Sequence, residues 1–117
     1  MTDAGTLTKW IDAYRRAWES NNPEDIAALF TADARYFPAP YGQPWEGREA
    51  VVQGWIAAGD EPGTTTFAWE PVAITDEVQV VRATTTYPDK VYSNLWVLRL
   101  DADGRCREYT EYWMQQP

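Results

Sequence analysis

The 117-residue chain has the length of one domain, and its 44% hydrophobic and 24% charged residues are a typical globular mixture. A formal net charge of −8, with no cluster of Lys or Arg, argues against nucleic acid and anionic membrane surfaces as partners. The absence of histidine excludes the usual Ser-His-Asp and Cys-His nucleophile systems, and it excludes zinc sites with imidazole ligands.

The cysteine content and the N-terminus bear on the compartment. A single cysteine, Cys106, precludes an internal disulfide and favours a reducing environment. The first residues are acidic and no apolar run follows, unlike a signal peptide, and no stretch approaches the roughly 18 apolar residues of a membrane span. We therefore expect a cytoplasmic protein that works without a metal or organic cofactor. Because the chain has no histidine, the acids and bases of an active site must be Asp, Glu, Tyr, Lys or Cys.

Two helices are predicted at the start of the chain. Apolar residues from Leu7 to Trp18 recur at helical spacing and predict a first helix, with Thr6 or Thr8 as its cap. The Asn-Asn-Pro segment at 21–23 ends this helix. Within that segment Asn22 is a suitable N-cap for a second, short helix that has proline at its first position.

An extended segment and a third helix come next. Residues 35–40 hold two aromatic residues and two prolines, which limits them to a short edge strand or a loop. A third helix is predicted after Gly47, because Val51 and Trp55 lie four residues apart on one side. The Gly- and Pro-containing segment 59–63 is expected to stop it.

The remainder of the chain reads as β-structure. Thr, Val, Tyr and Trp dominate four runs joined by short turn sequences: 64–75, 78–87, 91–101 and 105–114. Short turns connect neighbouring strands antiparallel. Helices followed by a meander of strands predict an α+β fold with helices on one face of a curved sheet.

Several motifs carry a resemblance to a known family. They are Tyr14 with Trp18, NPEDIAALFTADA at 22–34, GREAV at 47–51, NLWVLRLDADG at 94–104, and a last strand that closes at Trp113. In this order they resemble the nuclear transport factor 2-like superfamily, which includes SnoaL-like polyketide cyclases and steroid isomerases. The resemblance spans nearly the whole chain and implies one domain, 1–117. It also implies three helices packed on a strongly curved, mainly antiparallel sheet, which together form a cone with one internal pocket.

The resemblance also implies an assembly. Members of this superfamily often form homodimers through the outer face of the sheet. We expect the same here, with Trp69 and Tyr112 as aromatic residues left over for the outer face.

The steroid isomerases are informative by their differences from this chain. The resemblance places their oxyanion-binding tyrosine on Tyr14. Their catalytic aspartate belongs in the first extended segment, where residues 37–40 carry no carboxylate, and their second oxyanion donor falls on Trp96. Two of the three catalytic positions are therefore absent, so the chain is not a steroid isomerase of that design. Dehydratase relatives that depend on a pocket histidine are excluded as well.

The last strand offers a replacement base, Glu111. Alternation puts Glu111 on one face with Tyr109 and Trp113, and the resemblance implies that this face lines the pocket. Cys106 is expected on the opposite face. Burial among aromatic residues would raise the pKa of the Glu111 carboxyl toward the range useful for proton transfer. Glu111 could instead orient a ligand, or form a structural ion pair with Arg35 or Arg82.

Two functions of different class remain open. The first is a cofactor-independent lyase, isomerase or cyclase for a small apolar carbonyl compound, in which Glu111 moves a proton and Tyr14 holds the developing oxyanion. The second is a non-catalytic module that binds a hydrophobic ligand or serves dimerisation. A second polar group beside Glu111 would favour catalysis, and the candidates are Asn94, Thr84 and Tyr36. The aromatic side chains expected around Glu111 are Trp18, Trp55, Trp96, Tyr109 and Trp113.

Overall fold

The computed structural model describes residues 3–39, 41–58 and 66–117. Three helices and six strands follow one another in these ranges. Their bounds are α1 Ala4–Ser20, α2 Pro23–Ala27, β1 Phe30–Phe37, β2 Trp45–Glu46, α3 Arg48–Ala58, β3 Thr66–Ile74, β4 Gln79–Thr86, β5 Val91–Leu100 and β6 Cys106–Gln115.

Side-chain caps set the starts of the first two helices. Helix α1 begins earlier than expected, because Asp3 caps it and not Thr6 or Thr8: the Asp3 carboxylate accepts a hydrogen bond from the Thr6 amide at 2.8 Å. The predicted junction at 21–23 is confirmed. Asn21 ends α1 in the left-handed conformation, and the Asn22 side chain accepts a hydrogen bond from the Glu24 amide at the start of α2.

The sheet is mixed, with strand order β2-β1-β6-β5-β4-β3. The predicted antiparallel meander from β3 to β6 is confirmed. Strand β1 differs from the expectation: it begins at Phe30, runs parallel to β6 and antiparallel to β2, and so is not an edge strand. Pro38 lies beyond its last residue, so it leaves the pairing of β1 intact. The expected helix stop at 59–63 lies outside the described residues.

The core lies between the helices and the inner face of the sheet. Gly47, at φ 88°, turns the chain into α3, and its amide donates to the Ala34 carbonyl at 2.7 Å. The expected place of Trp69 on the outer face is wrong. Trp69 pairs with inward-facing Ala83 and packs against the core, whereas Tyr112 lies on the outer face opposite Leu95.

A bulge in β6 changes which side chains face inward. Arg99 pairs with Glu108 but Leu100 pairs with Cys106, so one extra residue stands in β6 between the two pairs. The inward and outward positions of β6 therefore exchange at the bulge. Cys106 is buried in the core on the same side as Tyr109 and Glu111. The prediction that Cys106 faces away from Glu111 is wrong for this reason. Burial raises the pKa of its thiol to about 12, which keeps it protonated.

Candidate functional site

A cavity of about 350 Å³ opens between α1, the end of β1, and the inner faces of β4, β5 and β6. Its floor is aromatic, and its rim is formed by the end of β4, the turn after it and the start of β5. The residues that line it are Tyr14, Trp18, Tyr36, Pro38, Ala58, Thr85, Tyr87, Lys90, Tyr92, Asn94, Trp96, Glu111 and Trp113. Glu111 is the only carboxylate and Lys90 the only cation among these described residues.

Glu111 reaches the cavity from β6 and is held by three donors. The Trp96 indole N–H donates to its Oε1 at 3.0 Å, and the Tyr109 hydroxyl donates to the same oxygen at 3.4 Å. The Asn94 amide donates to Oε2 at 3.1 Å, while the Asn94 side-chain oxygen accepts from the Thr85 hydroxyl at 2.7 Å. From the described residues Oε1 accepts two hydrogen bonds, of which that from Tyr109 is long, and Oε2 accepts one, which leaves Oε2 with an unused lone pair.

The electrostatic setting of Glu111 favours its neutral form. Burial raises the pKa of its carboxyl from 4.5 to about 7, although the hydrogen bonds from Asn94, Trp96 and Tyr109 oppose the shift. The two arginines considered as ion-pair partners are engaged elsewhere: Arg35 contacts Glu108 and Arg82 contacts Glu70, each at 2.7 Å. No described cation therefore neutralises Glu111, and the structural ion-pair interpretation has no support.

Tyr14 belongs to a cluster of buried tyrosines beneath Glu111. Its hydroxyl lies 3.4 Å from that of Tyr109, so Tyr109 stands between Tyr14 and the carboxylate. The Tyr36 ring stacks on the Tyr109 ring with 4.5 Å between centroids. Burial raises the pKa of all three phenols well above 10, so each remains a protonated donor. Tyr14 and Tyr36 reach the cavity, whereas Tyr109 lies behind its wall.

The expected aromatic residues occupy different depths. Trp18 and Trp96 line the cavity, and Trp113 stands at its mouth with 55% of its surface exposed and its ring against Tyr92. Trp55 does not line this cavity. It packs edge-on against Tyr14 and lines a side recess of about 90 Å³ that shares Tyr14, Trp18 and Tyr36. Fewer of the expected aromatic residues therefore line the cavity around Glu111.

Several residues of the site were not identified from the sequence. Asn94 and Tyr36 lie at the cavity as expected, but Thr84 faces outward, and its neighbour Thr85 is the residue that points in and bonds Asn94. Within the run 84–86 three identical side chains hide the alternation, so only the pairing of Ala83 with Asn94 reveals the inward positions. The rim residues Tyr87, Lys90 and Tyr92 were missed because they flank a turn.

Two further features of the described residues concern metals and membranes. No three Cys, Asp or Glu side chains in the described ranges are grouped so that they could hold a metal ion. None of the helices described is long and apolar enough to cross a bilayer.

Comparison with known proteins gives one family match and many fold matches. The model of the SnoaL-like domain matches residues 11–109. No curated protein matches the sequence significantly.

Solved structures show the same fold at low identity. A proposed ketosteroid isomerase from Kribbella flavida DSM 17836 is 20% identical, with 100% of this chain and 84% of that chain covered and a TM-score of 0.74. An NTF-2 like protein of unknown function from Burkholderia xenovorans LB400 is 11% identical, with coverage of 97% and 86% and a TM-score of 0.77. An LEH-like epoxide hydrolase from M. tuberculosis is 13% identical, with coverage of 94% and 84% and a TM-score of 0.62. These structures confirm the α+β cone.

Proposed function

This chain belongs to the SnoaL-like domain family, and we propose that it is a cofactor-independent isomerase, lyase or cyclase acting on a small apolar carbonyl compound. The observation that carries the proposal is Glu111, a carboxyl group with a pKa near 7 that lines an aromatic cavity without a described cationic partner. Burying a carboxylate without an ion-pair partner lowers the stability of the fold, so a purely structural role does not explain it. A carboxyl group with a raised pKa that lines a cavity is typical of a general base.

The chemistry begins with proton abstraction beside the carbonyl group. The freer oxygen of Glu111, Oε2, takes the proton of the substrate C–H bond, and the bonding electron pair moves to form the enolate. The carbonyl oxygen becomes an oxyanion that accepts a hydrogen bond from Tyr14. When the carbonyl compound is β,γ-unsaturated, the enolate is conjugated, and return of the proton from Glu111 to the γ-carbon gives an isomer. When the β-carbon carries a leaving group, the enolate electron pair forms a new carbon–carbon double bond and the group departs with its bonding pair, which gives a lyase reaction.

Tyr14 can serve the oxyanion because it lines the cavity and its contact with the Tyr109 hydroxyl is long. Its hydroxyl contacts Tyr109 at 3.4 Å, longer than a good O–H···O bond. An oxyanion is a stronger acceptor than a phenol oxygen, so Tyr14 would exchange one for the other. Tyr14 thus binds the developing charge more strongly than the ground state, as catalysis requires.

Asn94 bears on the choice between an enzyme and a non-catalytic binding module. It holds Glu111 at 3.1 Å and is itself fixed by Thr85. The hydrogen bonds from Thr85 to Asn94 and from Asn94 to Glu111 orient Oε2 before a ligand arrives, and binding of an apolar molecule by shape alone does not require this. It favours catalysis over the alternative of a simple hydrophobic-ligand carrier.

The proposal extends to assembly as a homodimer. The outer face of the sheet exposes Leu95 and Tyr112 as neighbours across β5 and β6. A second copy of this sheet would cover them.

The first prediction tests proton transfer directly. Protein in D₂O should accelerate exchange of the α-protons of 2-tetralone, a small ketone, as followed by ¹H NMR. The rate should rise with pH around a midpoint near 7, because the base acts as the carboxylate. Glu111→Gln should abolish the acceleration, and Tyr14→Phe should lower it by about a hundredfold to a thousandfold.

Glu19→Gln is the matched control, because it removes an exposed carboxylate from α1. It should exchange the ketone at the wild-type rate. Equal rates for wild-type protein and Glu111→Gln would refute the proposed role of Glu111.

A further inference from the structure

The long axis of the cavity follows strand β5 from its base to its rim. Trp96, Asn94 and Tyr92 alternate along the inner face, and Trp96 pairs across the sheet with Glu111. Four residue steps along the strand, from Trp96 to Tyr92, span about 13 Å. The reacting oxygen of Glu111 accepts from Asn94, two residue steps or about 7 Å along the strand from Tyr92, and Lys90 lies two residues beyond Tyr92 at the rim.

The turn between β4 and β5 fixes the backbone of Lys90. The Tyr87 amide donates to the Lys90 carbonyl at 2.8 Å, which closes the turn. The Lys90 amine lies 5.4 Å from the Tyr87 ring centroid and 5.7 Å from that of Tyr92, within the range of cation–π attraction. The three ion pairs found among described residues all use arginine, so no described carboxylate neutralises this amine.

The charge of the whole chain makes this position unusual. At a net charge of −8 the surface repels anions, and Glu111 repels an anion inside the cavity. The amine of Lys90 is the one positively charged group among the described residues that line the cavity. A single cation matches a singly charged group such as a carboxylate better than a phosphate dianion.

We propose that the ligand of this cavity is amphipathic: a carboxylate at its outer end binds Lys90, an apolar body lies against Trp18, Trp96 and Trp113, and its other end reaches Glu111. This inference rests on the proposed function for the identity of the reacting end, which makes the substrate class an oxo acid with its carbonyl group several bonds from the carboxylate. Lys90 then sets the direction in which the ligand enters. It is a specificity residue and takes no part in the proton transfer.

The test compares an acid with its neutral counterpart. The probes are 5-phenylpentanoate and its methyl ester, and binding is followed by quenching of tryptophan fluorescence. Wild-type protein should bind the acid more tightly than the ester. Lys90→Met should lower the affinity for the acid by about 1.5-fold to fivefold, the range of an exposed ion pair, and leave the affinity for the ester unchanged. The preference for the acid should also fall as salt is added.

Lys9→Met is the matched control, because it removes the same charge from an exposed position of α1 that lies away from this cavity. It should leave both affinities unchanged. The inference is overturned if the acid does not bind, if wild-type protein binds acid and ester equally, or if Lys9→Met weakens the acid as much as Lys90→Met.

Glu111→Gln separates this inference from the proposed function. The variant should still prefer the acid through Lys90, and it should bind the acid at least as tightly as wild-type protein, because one negative charge has left the cavity. Loss of the acid preference in this variant would count against Lys90. Lack of ketone exchange by wild-type protein, with the Lys90-dependent preference intact, would count against catalysis only.

Discussion

At Glu111 two physical effects of opposite sign meet in one carboxyl group. Burial disfavours the charge, whereas hydrogen bonds from Asn94, Trp96 and Tyr109 stabilise it. Burial is the larger effect, but the hydrogen bonds offset part of it, so the pKa is about 7. Both protonation states are then populated at neutral pH, which is the condition for a group that takes up and returns a proton.

The same shift predicts how stability depends on pH. The folded protein holds the Glu111 proton up to about pH 7 and the unfolded chain only up to about 4.5. The contribution of Glu111 to the free energy of unfolding therefore falls as pH rises between these values and is level above them. Glu111→Gln lacks this effect. From pH 5 to pH 8 we therefore expect the variant to gain about 2 kcal/mol relative to wild-type protein in urea denaturation.

Comparing two pH values removes a complication of the amide. The Gln side chain presents an N–H₂ group to Asn94, which is a donor facing a donor, but this mismatch is the same at both pH values. Glu19→Gln, at an exposed position of α1, should show no comparable change with pH. An unchanged stability difference for Glu111→Gln between pH 5 and pH 8 would mean that burial does not perturb this carboxyl.

Among the elements, α3 and β2 pack so closely that one position admits no side chain. A methyl group placed at Gly54 would overlap the indole ring of Trp45. That ring cannot withdraw freely, since it stacks on Tyr36 with 4.9 Å between centroids, and Tyr36 stacks in turn on Tyr109. The contact between α3 and β2 thus supports the wall of the cavity.

Gly54→Ala should consequently destabilise the protein, although alanine is the better helix former. Overpacking costs about 1–3 kcal/mol and helix propensity returns about 1, so we expect a net loss of about 1 kcal/mol in urea denaturation. In a Trp45→Ala background the same change should become stabilising, because the overlap is gone. Gly5→Ala, in the first turn of α1, is the control for propensity, since its methyl group meets only Asp3 at 3.4 Å. A stabilising Gly54→Ala in the wild-type background would contradict the close packing.

The elements also show what the sequence can and cannot predict. Junctions with local chemistry, such as Asn22 before Pro23, were predicted at the correct residues because the cap and the proline act within a few positions. Strand β1 was recognised only at its end, since its pairing with β6 brings together residues more than 70 positions apart. The Cys106 side chain faces inward because of a bulge, and no local sequence pattern in β6 predicts that bulge.

The site follows the same division. Glu111 could be identified because aromatic neighbours at alternate positions surround it in the sequence, and the resemblance indicated the inward face. The donors that hold it were harder to predict: Trp96 lies on another strand, and its indole N–H meets the carboxylate only because register aligns the two residues. Lys90 could not be placed at the cavity from the sequence, since it reaches the lining only because of where the turn between β4 and β5 puts it.

For the whole molecule, net charge and exposed apolar surface act in opposite directions on self-association. Two chains of charge −8 repel each other, more so at low salt. The outer face of the sheet nevertheless exposes Leu95 by 37% and Tyr112 by 44%, side by side on central strands where a flat partner can pair face to face. Burial of this face is the favourable contribution that a homodimer requires.

We therefore predict a dimer that one added charge on this face dissociates. Light scattering at tens of micromolar should give about twice the 13.4 kDa chain mass for wild-type protein. Leu95→Glu should return the monomer mass, because it places a carboxylate in the apolar interface and a second one opposite it from the other subunit. Ile56→Glu is the matched control: Ile56 is 45% exposed but lies on α3, so its variant should remain dimeric. A monomeric wild-type protein would refute the assembly, and a dimer that survives Leu95→Glu would place its interface on another surface.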